Sequence, residues 1–208
     1  MKTVFRTEQE SFWAGEFGDQ YQERNPEDFE FGKRAALFSR IIGRTRQVGS
    51  ILELGANIGN NLRVLERLLP GAELAAVEIN ARAVERLRRW GGAEVYHQSI
   101  LEFGPHRQWD LAFTSGVLIH LAPEALPTAY QVMHRAARRY LAVIEYYNPT
   151  PVEVPYRGHS GRLFKRDFAG ELLDRFPDLH LVDYGFVYHR DPNFPLDDLT
   201  WFLLEKQS

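Results

Sequence analysis

The spacing of hydrophobic and polar positions changes character twice along the chain. Residues 5–47 carry apolar positions at helical spacing with one interruption. Phe12, Trp13 and Phe17 fall on one helical face, and Gly15 and Gly18 then break the pattern. Asn25-Pro26 reads as an N-cap with proline in the first turn. From there Phe29, Lys33, Ala36, Leu37, Arg40 and Ile41 describe an amphipathic helix ending near Gly43. Residues 1–47 are therefore expected to form an N-terminal helical cap.

The centre alternates strand and helix. Ser50–Leu54 is a short apolar strand between Gly49 and Gly55, and Asn60–Leu69 is a helix closed by Pro70-Gly71. Glu73–Glu78 reads as a strand, Ala81–Trp90 as a helix, and Ala93–His97 and Trp109–Ser115 as strands. Pro127–Arg138 is helical, and Arg139–Tyr147 is the longest apolar strand candidate. Strands separated by helical runs of about 10–15 residues predict βαβ units, hence a parallel sheet with helices on both faces.

The end differs again. Leu179–His189 and Leu199–Lys206 are strand candidates with no helix between them, so they should pair antiparallel. Residues 148–166 hold Pro149, Pro151, Pro155, Gly158 and Gly161 and read as a long loop. Unstructured loops of that length are uncommon in compact domains and are usually functional or disordered; this one is the expected active-site loop. The 208 residues suit a single domain.

Composition narrows the chemistry. There is no cysteine, which excludes a thiolate nucleophile, a disulfide framework and a cysteine-ligated metal. The 25 Lys+Arg against 28 Asp+Glu leave a formal charge of −3, the wrong sign for a general nucleic-acid binder. The first residues are charged rather than apolar, and no run approaches the roughly 20 apolar residues of a membrane span. A soluble, cytoplasmic protein with a small-molecule partner, no nucleic acid and no membrane is the expectation; the oligomeric state stays open. No His/Asp cluster has metal-ligand spacing, so no metal is expected.

The sharpest motif is Glu53-Leu54-Gly55-Ala56-Asn57-Ile58-Gly59, between a strand and a helix. Open α/β sheets bind ligands at the carboxyl ends of their strands, and glycine lets a backbone turn tightly there. Read as structure alone, the glycines only make a βα turn. Glu78 ends the next strand about 20 residues on, where a carboxylate can accept hydrogen bonds from both hydroxyls of a ribose. A dinucleotide loop would carry glycine two positions after Gly55, where Asn57 stands. The acid Glu53 would repel a pyrophosphate and suit a cationic ligand.

E-L-G-A-N-I-G-N-N resembles motif I of the class I S-adenosylmethionine-dependent methyltransferases, whose cofactor carries an ammonium and a sulfonium. A-A-V-E-I-N resembles their ribose motif, H-Q-S-I lies where they frame adenine, and W-D-L-A-F-T-S-G-V-L-I-H resembles their fourth motif. The resemblance implies a Rossmann-like class I methyltransferase fold: a seven-stranded, mostly parallel sheet with a C-terminal antiparallel hairpin. Over most of the chain, W-A-G-E-F-G-D-Q-Y-Q-E-R-N, G-V-L-I-H-L, Y-Y-N-P-T-P-V-E-V-P-Y-R-G-H and L-F-K-R-D-F-A-G-E are similar to the methylases associated with pseudaminic acid biosynthesis. The resemblance implies that Glu53, Gly55, Asn57 and Gly59 line the methionine part of S-adenosylmethionine. It implies that Glu78 holds the ribose, that Ile79, Ser99 and Ile100 contact adenine, and that Ser115 and Gly116 lie near the sulfonium. Gln98 stands where many relatives carry Asp, and its amide can still bond the adenine amine.

Methyl transfer is an in-line displacement, so orientation dominates and the acceptor can need a base. His120 follows the fourth motif and is the first candidate base; the alternative is a capping or core histidine. Tyr146 and His159 are further catalytic candidates. Only one of Glu145 and Tyr146 can share a sheet face with a given neighbour, and the sequence leaves that open. Tyr147, Asn148, Tyr156, Arg157, Lys165 and Arg166 are substrate-binding candidates, because donors in a glycine-punctuated segment suit an anionic acceptor such as a sugar acid. Trp13, Phe17 and Tyr21 are expected to close over the cofactor. An NAD-dependent oxidoreductase on a related fold and a non-catalytic nucleoside-binding module are the rival readings.

Overall fold

The computed structural model describes residues 5–24, 26–27 and 30–207. Helix α1 (Glu8–Ala14) opens on a capping box: the Thr7 hydroxyl accepts from the Glu10 amide at 3.1 Å, and the Glu10 carboxylate accepts from the Thr7 amide at 2.9 Å. Gly15 ends it and α2 (Glu16–Arg24) begins at once. Gly18 does not break α2. A Cβ there would fall 1.9 Å from the Trp13 carbonyl oxygen, so glycine is what lets the two helices meet.

Helix α3 (Phe31–Ile42) starts later than Pro26 predicts, because Glu30 takes a left-handed turn at φ 57°. Asn25 and Phe29, which the pattern places at this start, lie outside the described residues.

The alternating centre follows the pattern closely: β1 (Ser50–Leu54), α4 (Asn60–Leu68), β2 (Glu73–Glu78), α5 (Ala81–Trp90), β3 (Glu94–His97) and β4 (Trp109–Ser115). Helix α6 (Leu126–Ala136) runs without a loop into β5 (Ala137–Glu145), so that strand starts and ends two residues earlier than its apolar run suggests. Residues 148–166 are not an unstructured loop. Strands β6 (Val152–Glu153) and β7 (Phe164–Lys165) pair antiparallel, and Tyr156 and His159 exchange both backbone hydrogen bonds at 2.9 Å. Between them Arg157 (φ 50°) and Gly158 (φ 84°) both take positive φ, as a two-residue primed hairpin turn requires. The segment is a hairpin arm.

Helix α7 (Phe168–Arg175) was not anticipated; Asp167 caps it by accepting from the Gly170 amide at 2.8 Å. The chain closes with β8 (Leu179–Val187) and β9 (Leu199–Lys206).

The seven strands of the main sheet run in the order β3-β2-β1-β4-β5-β9-β8. The first five are parallel, and β9 inserts antiparallel between β5 and β8. The fold class is therefore the expected one. Both faces are covered. Ile51, Leu111, Phe113 and Ile144 pack with Phe38 and Ile41 of α3 and Leu62 of α4. Leu52, Leu54, Val77 and Val143 pack with Met133 of α6 and Leu172 of α7. Burying each such side chain stabilises by about 1.5–3 kcal/mol, and two-sided burial is why these strands read as unbroken apolar runs.

Candidate functional site

The parallel strands end together, and their carboxyl ends open into a cleft of about 1110 Å³ counted to its mouth. Its floor is the turn after β1. Gly55 (φ 81°) and Asn57 (φ 48°) turn the chain, and the Gly55 and Ala56 amides both donate to the Val77 carbonyl of β2 at 2.8 and 3.1 Å. A Cβ on Gly55 would lie 2.5 Å from Val117 Cγ2, so this glycine admits the neighbouring loop as well as a ligand. Gly59 (φ 83°) serves packing: a Cβ would lie 2.6 Å from Leu87 Cδ2, and Gly59 does not line the cleft.

Two buried carboxylates face this floor. Glu78 accepts from the Asn57 amide and, on its other oxygen, from the Asn80 amide, each at 2.7 Å. Each oxygen keeps a lone pair for a further donor. Burial raises its pKa above the ordinary carboxylate range, and the amides of Asn80, Asn57 and Ile79 pull it back. Glu53 accepts from Asn61 Nδ2 at 2.6 Å, and Asn61 in turn accepts from Arg34 at 2.6 Å. The other oxygen of Glu53 is buried in the cleft wall with no partner among the described residues. Burial pushes the Glu53 carboxyl up to about 8, against the Asn61 bond and the Arg34 charge. An unpartnered buried acid calls for a donor or a cation from a ligand.

The wall beyond β2 and β3 holds Ile79, Gln98, Ser99 and Ile100. The Ser99 hydroxyl already donates to Glu10, so α1 is tied directly to this wall. Asn80 adds a second tie. It caps α5 by accepting from the Ala83 amide at 3.0 Å, accepts from Gln22 at 2.8 Å, and donates to Asp19 at 2.9 Å. Trp13 and Tyr21 thereby stand over the cleft with their rings 5.3 Å apart.

His120 lines the cleft beyond Ser115 and Gly116, in a short 3-10 turn, Leu118–His120. Glu145 holds that turn: one oxygen accepts from the Val117 and Leu118 amides at 3.1 Å, the other from Ile119 at 3.4 Å. The Glu145 side chain is thus spent on the turn. His120 Nδ1 lies 2.6 Å from the Arg162 carbonyl of the arm. A carbonyl only accepts, so Nδ1 carries the proton and Nε2 keeps its lone pair. Burial pushes this imidazole down to about 4, which keeps it neutral near pH 7.

The remaining expected residues lie above or outside the cleft. Tyr156 packs its ring 4.9 Å from His120, and His159 packs on Phe12 at 5.2 Å at the outer side of the roof. Tyr146 is half-buried under Lys165, whose ammonium lies 5.0 Å from its ring. Arg157 reaches over Tyr156 at 5.7 Å. Three do not join this group. Tyr147 is exposed beside Phe202, Asn148 donates to the Thr150 carbonyl at 2.5 Å, and Arg166 is ion-paired with Glu171 at 2.6 Å. None of Tyr146, Tyr147, Asn148, Tyr156, Arg157, His159, Lys165 and Arg166 lines the cleft itself. Among the described residues, no three His, Cys, Asp or Glu side chains gather as a metal site, and no helix is long and apolar enough to cross a membrane.

Residues 51–139 match the family model described as a methyltransferase domain. No curated protein matched the sequence. Solved methyltransferase structures share the fold, among them three. The 1,6-didemethyltoxoflavin N1-methyltransferase of Burkholderia thailandensis, solved with its substrate and S-adenosylhomocysteine, is 17% identical with a TM-score of 0.71, covering 100% of this chain and 94% of that one. The magnesium protoporphyrin IX methyltransferase of Synechocystis, with S-adenosylmethionine bound, is 11% identical with a TM-score of 0.68, covering 99% and 100%. The N-methyltransferase NodS of Bradyrhizobium japonicum, with S-adenosylhomocysteine, is 18% identical with a TM-score of 0.66, covering 91% and 98%. At these identities the likeness establishes the fold.

Proposed function

We propose that this chain, which carries a methyltransferase domain on the class I methyltransferase fold, moves a methyl group from S-adenosylmethionine to oxygen or nitrogen of a small polar, anionic acceptor. The observation that carries the reading is the unpartnered Glu53 oxygen in the cleft floor, one strand from Glu78. A sulfonium nucleoside supplies both things this floor lacks: a cationic ammonium for Glu53 and a pair of ribose hydroxyls for Glu78. A pyrophosphate supplies neither, and the Asn57 amide that would meet it is taken by Glu78 at 2.7 Å.

When bound, the cofactor contributes an electrophilic methyl on sulfur. The chain's residues do the rest. Ile79 and Ile100 offer apolar contact to adenine, and Gln98 and Ser99 offer polar contact to its edge. Trp13 and Tyr21 exclude water from above, which fixes the acceptor and strengthens every charge inside. His120 Nε2 accepts the acceptor's proton; a neutral imidazole of low basicity holds it briefly and passes it on. The similarity to pseudaminic-acid-associated methylases puts an amino-sugar acid of nonulosonate type first among acceptors. Two of the similar structures are named N-methyltransferases, which keeps nitrogen beside oxygen as the methylated atom.

Calorimetry tests the reading. S-adenosylmethionine and S-adenosylhomocysteine should bind and NADH should not. No binding of either nucleoside, or NADH binding in their place, overturns it. Turnover is then sought with a deuterated methyl donor against a metabolite extract. A labelled product separates an enzyme from a module that only binds.

A further inference from the structure

Arg24, Arg157 and Lys165 each lie over an aromatic ring of the roof. The Arg24 guanidinium lies 5.3 Å from the Phe17 ring and 5.7 Å from the Tyr21 ring. Arg157 lies 5.7 Å from the Tyr156 ring, and the Lys165 ammonium 5.0 Å from the Tyr146 ring. None of the three forms an ion pair among the described residues, whereas Arg162 and Arg166 of the same segment pair with Glu8 at 3.2 Å and Glu171 at 2.6 Å. Aromatic faces hold the three cations in place without neutralising them.

The rings beneath them form one group. Phe17 and Tyr156 are 6.0 Å apart, and Tyr21 and Tyr156 both lie close enough to Tyr146 to perturb its ionisation. Asp197 acts on Tyr21 and Tyr146 and forms no ion pair among the described residues. Asp198 senses Lys165, but His189 already holds its carboxylate at 2.8 Å. Burial, chiefly, raises the Tyr21 and Tyr146 phenols, so both are protonated donors at neutral pH. Arg34 also acts on Tyr21 and Glu145 on Tyr146, but both already hold partners, Asn61 and the Val117–Ile119 turn, so the cations left to meet an anion outnumber the acids. A phosphate-type dianion would cancel more of that excess than a monocarboxylate.

We propose that the mouth of the cleft is a subsite for a dianionic phosphate or diphosphate group on the methyl acceptor, formed by Arg24, Arg157 and Lys165 over the Tyr21, Tyr146 and Tyr156 rings. The assignment of the dianion to the acceptor rests on the methyltransferase reading; the subsite itself does not. Tyr156 lies 4.9 Å from His120, so the dianion sits one aromatic ring away from the imidazole that takes the proton. The acceptor is then a phosphorylated or diphosphate-linked molecule whose methylated atom lies about one sugar ring from its charge.

The test is calorimetry on the full chain saturated with S-adenosylhomocysteine, using inorganic phosphate for a monoester, inorganic pyrophosphate for a diphosphate and acetate for a carboxylate. The expected result is that phosphate or pyrophosphate binds at least tenfold tighter than acetate, and the tighter of the two names the linkage. Arg24→Ala, Arg157→Ala and Lys165→Ala should each weaken that anion about tenfold. Cofactor affinity should stay the same in all three. Arg107→Ala, which removes a cation already paired with Glu73 elsewhere, should change neither. Equal binding of acetate and the phosphates, or an Arg24/Arg157/Lys165 triple variant that binds them as tightly as wild type, overturns the subsite. Cofactor binding is read first. Its absence overturns the methyltransferase reading, and with it the acceptor assignment.

Discussion

The floor and the roof of the cleft are built on different principles. In the floor, main-chain groups fix most of the polar geometry: the Asn57 and Asn80 amides clamp Glu78 at 2.7 Å and Val77 anchors the turn above β1, while Glu53 leans on the Asn61 side chain. The roof is held mostly by side chains. Phe12 and Phe17 stack at 4.1 Å, Trp13 lies 4.6 Å from His120, and Gln9 reaches Gly161 of the arm at 3.0 Å. A floor of this kind is preorganised and should bind its ligand without rearrangement. A roof of surface helices and a hairpin draws on fewer buried contacts and can open to admit the acceptor. On the proposed reading the cofactor meets a preorganised floor and the acceptor a surface that closes on it.

The contrast breaks in measurable ways. His120→Asn removes the proposed proton acceptor while leaving the floor intact. It should lower kcat by about 10²–10⁴-fold with unchanged S-adenosylhomocysteine affinity; an equal loss of affinity would put His120 in the floor. Glu78→Ala should weaken S-adenosylhomocysteine about 10²–10⁴-fold, since two charge-assisted hydrogen bonds are lost at about 1.5–3 kcal/mol each. Glu78→Gln should recover part of that loss, because an amide oxygen still accepts. Gly59→Ala should cost about 1–3 kcal/mol of stability, seen as a lower Tm, because a Cβ at φ 83° meets Leu87 at 2.6 Å. Asn80→Ala should cost about 1 kcal/mol through the lost helix cap, and it should raise acceptor KM more than cofactor Kd by loosening the roof.

The smallest effect concerns protons. Glu53, pushed up to about 8, is protonated at pH 7 in the free enzyme. A raised pKa means its native-state contribution is present below pH 4.5 and lost as pH rises through about 8. A cation docking beside it reverses the shift, so cofactor binding at pH 7 should release up to one proton. Calorimetry in buffers of different ionisation enthalpy reads this directly. Proton uptake on binding would contradict the placement of a cation at Glu53.

The sequence reveals these two regions unequally. The β1 and β2 runs, the turn at Gly55 and the acid at Glu78 are legible because local periodicity and glycine placement dictate them. Glu53's partner Asn61 and the Arg34 behind it depend on how α3 and α4 pack, which no local pattern encodes. The arm looks like a loop in sequence because Pro151 and Pro155 mask strands of two residues each, although Arg157-Gly158 at its tip marks a turn. Helix α7 had a visible start in Asp167 before Phe168 and Ala169, and Thr7-x-x-Glu10 announced α1. Glu10 bonding Ser99, and Glu145 bonding the turn that carries His120, join residues 89 and 26–28 positions apart and emerge only in three dimensions.

The most direct measurement is a crystal structure grown with S-adenosylhomocysteine. The account predicts ribose hydroxyls on Glu78, the amino-acid ammonium on the free oxygen of Glu53, and the sulfur pointing past Ser115 toward His120. A nucleoside bound elsewhere, with the Gly55 turn bare, would contradict it.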